Sequence, residues 1–290
     1  MLRPCAILCS LLFVAAVRGW SDDEPPPLPP LIHQLTLQAG KFWGEAPSWY
    51  GRETLRQSGP FVKRPRRGFH LSVPPPPAVP EMAKREIVSW YGFSAQKSNS
   101  EAIHEIRQVI AIDGKPVPDS RSAADFCHLL QTRDDFARQE LADKFEEVTL
   151  GDVPLDFGQL VMLFTRRAID RYTFHKTDED MIGAEPVSLF QYTQQTGTPG
   201  LHLDENKTIP MAGTVALRNK DGMPLRIVVV ATRIGKDKIE VRDEAQVEYQ
   251  EVSHGVMLPV ALTHQRYVKG ALQSDDRAVY SDWKPVQGKK

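Results

Sequence analysis

From Gly213 to Trp283 apolar and polar residues alternate through a succession of short runs. Between Lys238 and Tyr249, the residues Ile239, Val241, Ala245, Val247 and Tyr249 share one parity, interrupted by Asp243 alone. Lys238, Glu240, Arg242, Glu244, Gln246 and Glu248 hold the other. Such period-two alternation predicts a strand with one buried and one solvated face. Val256, Leu258, Val260 and Leu262 repeat it after the turn residues Ser253-His254-Gly255. Upstream, Val215-Ala216-Leu217 runs through Asn219-Lys220-Asp221-Gly222 into Leu225 to Val230, which is a hairpin signal. These links are too short for parallel crossovers, so the region reads as an antiparallel meander, a curved sheet with an apolar inner face.

Elsewhere the period changes. Leu28, Leu31, Ile32, Leu35, Ala39, Phe42 and Trp43 recur at three- and four-residue spacing, one face of an amphipathic helix that Gly44 and Pro47 stop. Ser48 to Gln57 suits a first strand, and Glu86 to Ala95 with Ile103 to Ile112 suits a pair. Asp113-Gly114 ends that pair as an ordinary turn. Three helical faces follow: Ala123, Phe126, Cys127 and Leu130; then Ala137, Leu141, Phe145 and Val148; then Leu160, Val161, Phe164 and Ala168, with Asp156 as the candidate cap of the last. Strands resume at Arg171 to Lys176 and Pro186 to Thr193, and Arg277 to Trp283 is the last. One helix, then strands, helices and many strands predict an α+β fold with one antiparallel sheet rather than alternating βαβ units.

The chain begins with Arg3 and an apolar run from Ala6 to Val17, the length of a signal peptide and too short to anchor in a bilayer. Cleavage is expected after Gly19, giving a leader at 1–19, an acidic and proline-rich tether at 20–30, one domain at 31–286 and a tail at 287–290. Cys5 and Cys9 precede or lie within the apolar run, which argues against lipidation. Cys127 is then the sole cysteine of an exported chain of about 270 residues, which must stand on its core without a disulfide. Pro60 to Pro80 is an expected exposed insertion carrying Lys63-Arg64-Pro65-Arg66-Arg67 and the run Pro74 to Pro77. A formal net charge of −1 without a basic stripe excludes nucleic acid as an expected partner.

Candidate chemistry is sparse. Cys127 and His128 are adjacent on a helix and point about 100° apart, so they make no nucleophile–base pair. The eight histidines form no HxH, HxxxH or HExxH pattern, and they read as turn and surface residues, although His254 and His264 could meet across a hairpin. His202 to Asn206 lacks the ligand spacing of a calcium loop, Asp178-Glu179-Asp180 reads as a solvated turn, and Asn206-Lys207-Thr208 is a formal glycosylation sequon. No nucleophile elbow, phosphate loop or dinucleotide fingerprint occurs, so no catalytic residue, cofactor or metal is assigned.

Three stretches resemble the exported bacterial outer-membrane lipoprotein carriers and their mycobacterial lipid-binding relatives. They are the N-terminal helix running into Ser48–Gln57, the hairpin Thr214 to Ile227 with its Gly222-Met223-Pro224-Leu225-Arg226, and Val247-Glu248-Tyr249 followed by His254-Gly255-Val256-Met257-Leu258-Pro259. The resemblance implies a strongly curved, unclosed half-barrel with helices on its concave face and an apolar cavity between them. It also implies a periplasmic carrier for lipid, acylated protein or another hydrophobic ligand. On that architecture Leu31, Leu35, Phe42 and Trp43 are expected to cap the cavity. Two other readings are an envelope interaction module that uses the Pro60–Pro80 insertion and, more remotely, a hydrolase whose site forms only in the fold.

Overall fold

The computed structural model describes residues 28–60, 82–95, 103–118, 120–132, 134–150, 156–195, 201–202, 208–234, 238–253 and 255–286. The expected leader, most of the tether, the body of the Pro60–Pro80 insertion, Asn206 and Lys207 of the sequon, His254 and the tail lie outside them.

Helix α1 spans Pro30–Glu45 and starts with proline at its first position, where a missing N–H costs nothing. It turns Ile32, Leu35, Thr36, Ala39 and Phe42 inward. Strands β1 (Trp49–Pro60), β2 (Met82–Ala95), β3 (Ile103–Ile112) and the two-residue β4 (Lys115–Pro116) follow. Helices α2 (Ala123–Thr132) and α3 (Asp135–Val148) come next. Asp134 caps α3 by accepting from the backbone N–H groups of Phe136 and Ala137. A 3-10 segment, Phe157–Phe164, then leads to β5 (Tyr172–Ile182) and β6 (Glu185–Gln194). Beyond a small separate pair, β7 (Leu201–His202) and β8 (Thr208–Ile209), the chain ends in a meander. Its strands are β9 (Met211–Arg218), β10 (Pro224–Ile234), β11 (Glu240–Ser253), β12 (Val256–Val268) and β13 (Ala271–Pro285).

Eleven strands make one antiparallel sheet in the order β4-β3-β2-β1-β13-β12-β11-β10-β9-β6-β5. The edge strands β4 and β5 do not pair with each other, so the half-barrel is open. Its curvature shows in what neighbouring residues reach. On a flat sheet β3 and β12 would be about 19 Å apart. Yet the Phe157 ring lies 5.5 Å from the imidazole of His264 on β12, and the N–H of Gly158 meets Glu105 on β3. The third predicted helix is this 3-10 segment, with Ala168 left in a turn beyond it.

The crossover from β4 to β5 links the two edges of the sheet, and it does so across the concavity. The 3-10 segment and α1 therefore lie on the concave face, in one core with Phe93, Tyr192, Val215 and Val247. Helix α2 instead packs its Phe126, Leu129 and Leu130 with Tyr50, Trp90 and Ile106. Those sheet residues alternate with Tyr91 and Phe93, so their side chains leave the sheet on the other side. Helix α3 sits at the β3 end, with Leu141 in the α2 cluster and Phe145 in the main core.

Candidate functional site

The site is the concave face and the segment that covers it, here called the plug (Phe157–Phe164). The plug is almost wholly apolar, and Phe157, Leu160, Val161 and Phe164 are buried against the sheet. Phe164 enters an aromatic group with Tyr172 and Tyr192, ring centroids 5.6 and 5.0 Å away. Phe42 of α1 meets Phe93 edge-on at 5.2 Å and Tyr249 at 6.4 Å. Of the expected capping residues, Leu35 and Phe42 are buried and Leu31 packs half-buried against the core. Trp43 is 43% exposed. Ile32, one residue from Leu31, takes the inward position, because the helix presents residues 32, 35, 39 and 42 to the sheet. The volume that the resemblance assigns to a cavity is occupied by these side chains. A cleft of about 580 Å³ lies elsewhere and is lined by charged groups such as Glu185, Arg218, Glu248 and Glu251.

Polar side chains of the sheet hold the plug and its approach, mostly by accepting from their backbone N–H groups. Glu105 accepts from the N–H groups of Asp156 (3.2 Å) and Gly158. The Tyr249 hydroxyl oxygen accepts from Val161 N–H at 3.2 Å, and Gln57 Oε1 accepts from Leu150 N–H at 3.0 Å. In return the Asp156 carboxylate accepts from Glu105 N–H (2.8 Å) and lies 2.9 Å from His104 Nδ1. Asp156 holds the predicted capping position, but in a left-handed conformation (φ 64°) and with its side chain turned to β3 rather than to the helix. Gly158 has no room for a Cβ, which would strike the Tyr91 hydroxyl and Glu105.

Behind Glu105 lies a buried ionic group. Arg107 binds Glu53 through Nε (2.8 and 3.1 Å) and Nη2 (3.0 Å). Its Nη2 also lies 2.5 Å from Glu105. Their side chains are 5%, 1% and 0% exposed for Arg107, Glu53 and Glu105. The guanidinium stands over the rings of Tyr91 (5.2 Å) and Phe145 (5.1 Å). Burial pushes the Glu105 carboxyl up, against the pull of Arg107. Burial also disfavours the charge on Arg107, but Glu105 and Glu53 outweigh it and raise its pKa far above the ordinary value. The hydroxyls of Tyr91 and Tyr280 lie beside Glu105 and Glu53. The group approaches the surface at a cleft of about 150 Å³ bounded by His104, Asp135, Arg138 and Asp156.

A second group corrects the expectation for the histidines. His264 is not a surface residue; its side chain is 3% exposed, between two carboxylates. Its Nε2 is 3.2 Å from Asp243 and its Nδ1 is 3.1 Å from Asp276. Carboxylates accept only, so both contacts are hydrogen bonds when the ring carries both protons. Arg266 donates to the same Asp243 oxygen as His264, at 2.7 Å, and Gln57 donates to Asp276 at 2.9 Å. Burial opposes the charge on His264, but its bonds to Asp243 and Asp276 prevail and raise its pKa above 6.5. The stability it contributes is complete below about 6.5 and is lost as pH rises through the raised folded value. The urea midpoint of the protein is therefore expected to fall between about pH 6 and pH 9, and His264→Gln to flatten that slope. An unchanged slope in the variant would remove the imidazolium from the account. Asp243, the interruption in the apolar parity, is the sequence signal for this group. Among the described residues no set of His, Cys, Asp and Glu is placed to hold a metal ion.

Fold and site together define an open antiparallel half-barrel whose concave face is covered by its own crossover. No protein-family model matches the chain, and no curated protein matches it. Among solved structures it is similar to a DUF1329 family protein from Desulfovibrio piger ATCC 29098, at 9% identity over 91% of this chain and 96% of that one, TM-score 0.38. It is also similar to a domain named for outer membrane lipoprotein sorting from Vibrio parahaemolyticus, at 9% identity over 89% and 93% of the two chains, TM-score 0.36. A LolA superfamily protein from Nitrosomonas europaea is similar at 10% identity over 88% and 93%, TM-score 0.31.

Proposed function

We propose that this protein is an exported carrier or binding protein that holds a hydrophobic ligand (lipid, acylated protein or another apolar molecule) against the concave face of the sheet. The observation that carries this reading is the plug. It is an apolar segment outside the sheet, fastened to it by a few side-chain bonds at Glu105 and Tyr249. Lifting it bares the sheet residues it covers, Tyr192 and Tyr249 among them, within an apolar face of the kind that buries acyl chains. The ligand replaces the plug's contacts with the sheet, while the plug stays tied to both edges through the crossover. Export is read from the leader-like Arg3 and the Ala6–Val17 run. No helix among the described residues is long and apolar enough to cross a membrane. Glu53, Glu105 and Arg107 are committed to one another and to the plug, which supports binding rather than catalysis.

Native mass spectrometry of the full chain, purified from its own host under mild conditions, tests the reading. A co-purifying lipid or acylated species is the expected result. Repeated recovery of bare polypeptide, together with no change in melting temperature on adding extracted host lipid, overturns it.

A further inference from the structure

Resting on the carrier reading, we infer that the ligand is a single-chain amphiphile whose head group is cationic and donates hydrogen bonds, with Glu105 as the residue that receives it. The plug itself is the template for this assignment. Within Phe157–Phe164 the bonds to polar side chains of the concave face have plug N–H groups as donors, Gly158 to Glu105 and Val161 to Tyr249, while Asp156 at its start donates to Glu105 and accepts from the Glu105 N–H. Whatever displaces the plug inherits those acceptors. An anionic or purely accepting head leaves the buried Glu105 carboxyl without the donors it loses.

Charge points the same way. Glu53 and Glu105 carry two negative charges and Arg107 one positive, so the buried group holds a net charge of −1 when both carboxylates are ionised. Arg107 is already bound bidentately by Glu53 and stacked between Tyr91 and Phe145, so it does not turn to an incoming anion. The buried hydroxyls of Tyr91 and Tyr280 also face this spot, beside Glu105 and Glu53. A hydroxyl accepts as well as donates, and an ammonium head at Glu105 supplies N–H donors to the neighbouring Tyr91 oxygen too. The tail then takes the track of Leu160, Val161 and Phe164 toward Tyr192. Head at β3 and tail toward β6 is the path the plug follows across the concavity.

Isothermal titration of the full chain at neutral pH, below the micellar range, with dodecylammonium, dodecanoate and dodecanol separates the outcomes. Dodecylammonium is expected to bind about tenfold or more tightly than dodecanoate. Glu105→Gln is expected to bring the two within about threefold of each other while leaving dodecanol unchanged. Equal or tighter binding of dodecanoate by the unaltered chain overturns the inference and leaves the carrier reading intact, as does a preference that persists in folded Glu105→Gln. Binding of none of the three overturns the carrier reading and this inference with it. The comparison on the unaltered chain decides the matter if the variant does not fold.

Discussion

Replacing Arg107 by methionine is expected to lower the unfolding free energy by about 3–5 kcal/mol, because it leaves Glu53 and Glu105 as uncompensated buried charges. Both carboxylates lose the partner that binds them, and neither side chain reaches water. The loss is expected to shrink in acid. Glu105 already has a raised folded pKa from burial, and removing Arg107 raises it further. A carboxyl raised in this way contributes stability below its unfolded value near 4.5 and loses it as pH rises through the folded value. Urea unfolding of the variant at about pH 5 and pH 8 should therefore show the larger deficit at the higher pH. Neutralising all three positions, as Glu53→Gln, Glu105→Gln and Arg107→Met together, should recover much of the deficit, since the charges are no longer stranded. A deficit below about 1 kcal/mol, the same at both pH values, would mean that the group is open to solvent.

Phe42→Ala should cost about 3–5 kcal/mol in the ligand-free protein. The ring is buried among Phe93, Tyr249 and the plug, so truncation leaves a void the rigid sheet edge-on partners fill poorly. Bound amphiphile should return part of the loss by supplying contacts to the same surface, visible as a larger rise in melting temperature for the variant than for the natural chain. An unchanged melting temperature in Phe42→Ala would show that α1 does not seal the concave face.

The strands were readable where one face is wet. In β11 the alternation from Glu240 to Tyr249 marks the face correctly, and Asp243, its apparent error, keeps the buried parity and binds His264. Ile103–Ile112 and the Asp113-Gly114 turn also follow from local chemistry, both turn residues having positive φ. The plug was legible as an apolar run at helical spacing but not as a 3-10 segment. Its backbone donors go to Glu105 and Tyr249, which local periodicity does not report. The candidate site escaped for a related reason. Glu53 and Gln57 occupy inward positions of β1, yet a charged residue in an alternating strand reads as wet until its partner is known. Arg107 on β3 is that partner for Glu53, across β2, and the sequence separates them by the whole Pro60–Pro80 insertion.

The pairing of β1 with β13 joins the first strand of the sheet to the last, with Trp49 opposite Pro285 and Ser58 opposite Asp275. Every other strand of the sheet lies between them in sequence. Pairings this distant make folding slow, because a long loop must be closed before the contact stabilises anything. Until the C-terminal strand is available, the β1 edge that carries Glu53 and Leu55 lacks the neighbour it has in the finished sheet. The sheet therefore cannot be completed until β13 has been synthesised. β13, paired with β1 on one side and β12 on the other, is the seam that joins its two halves.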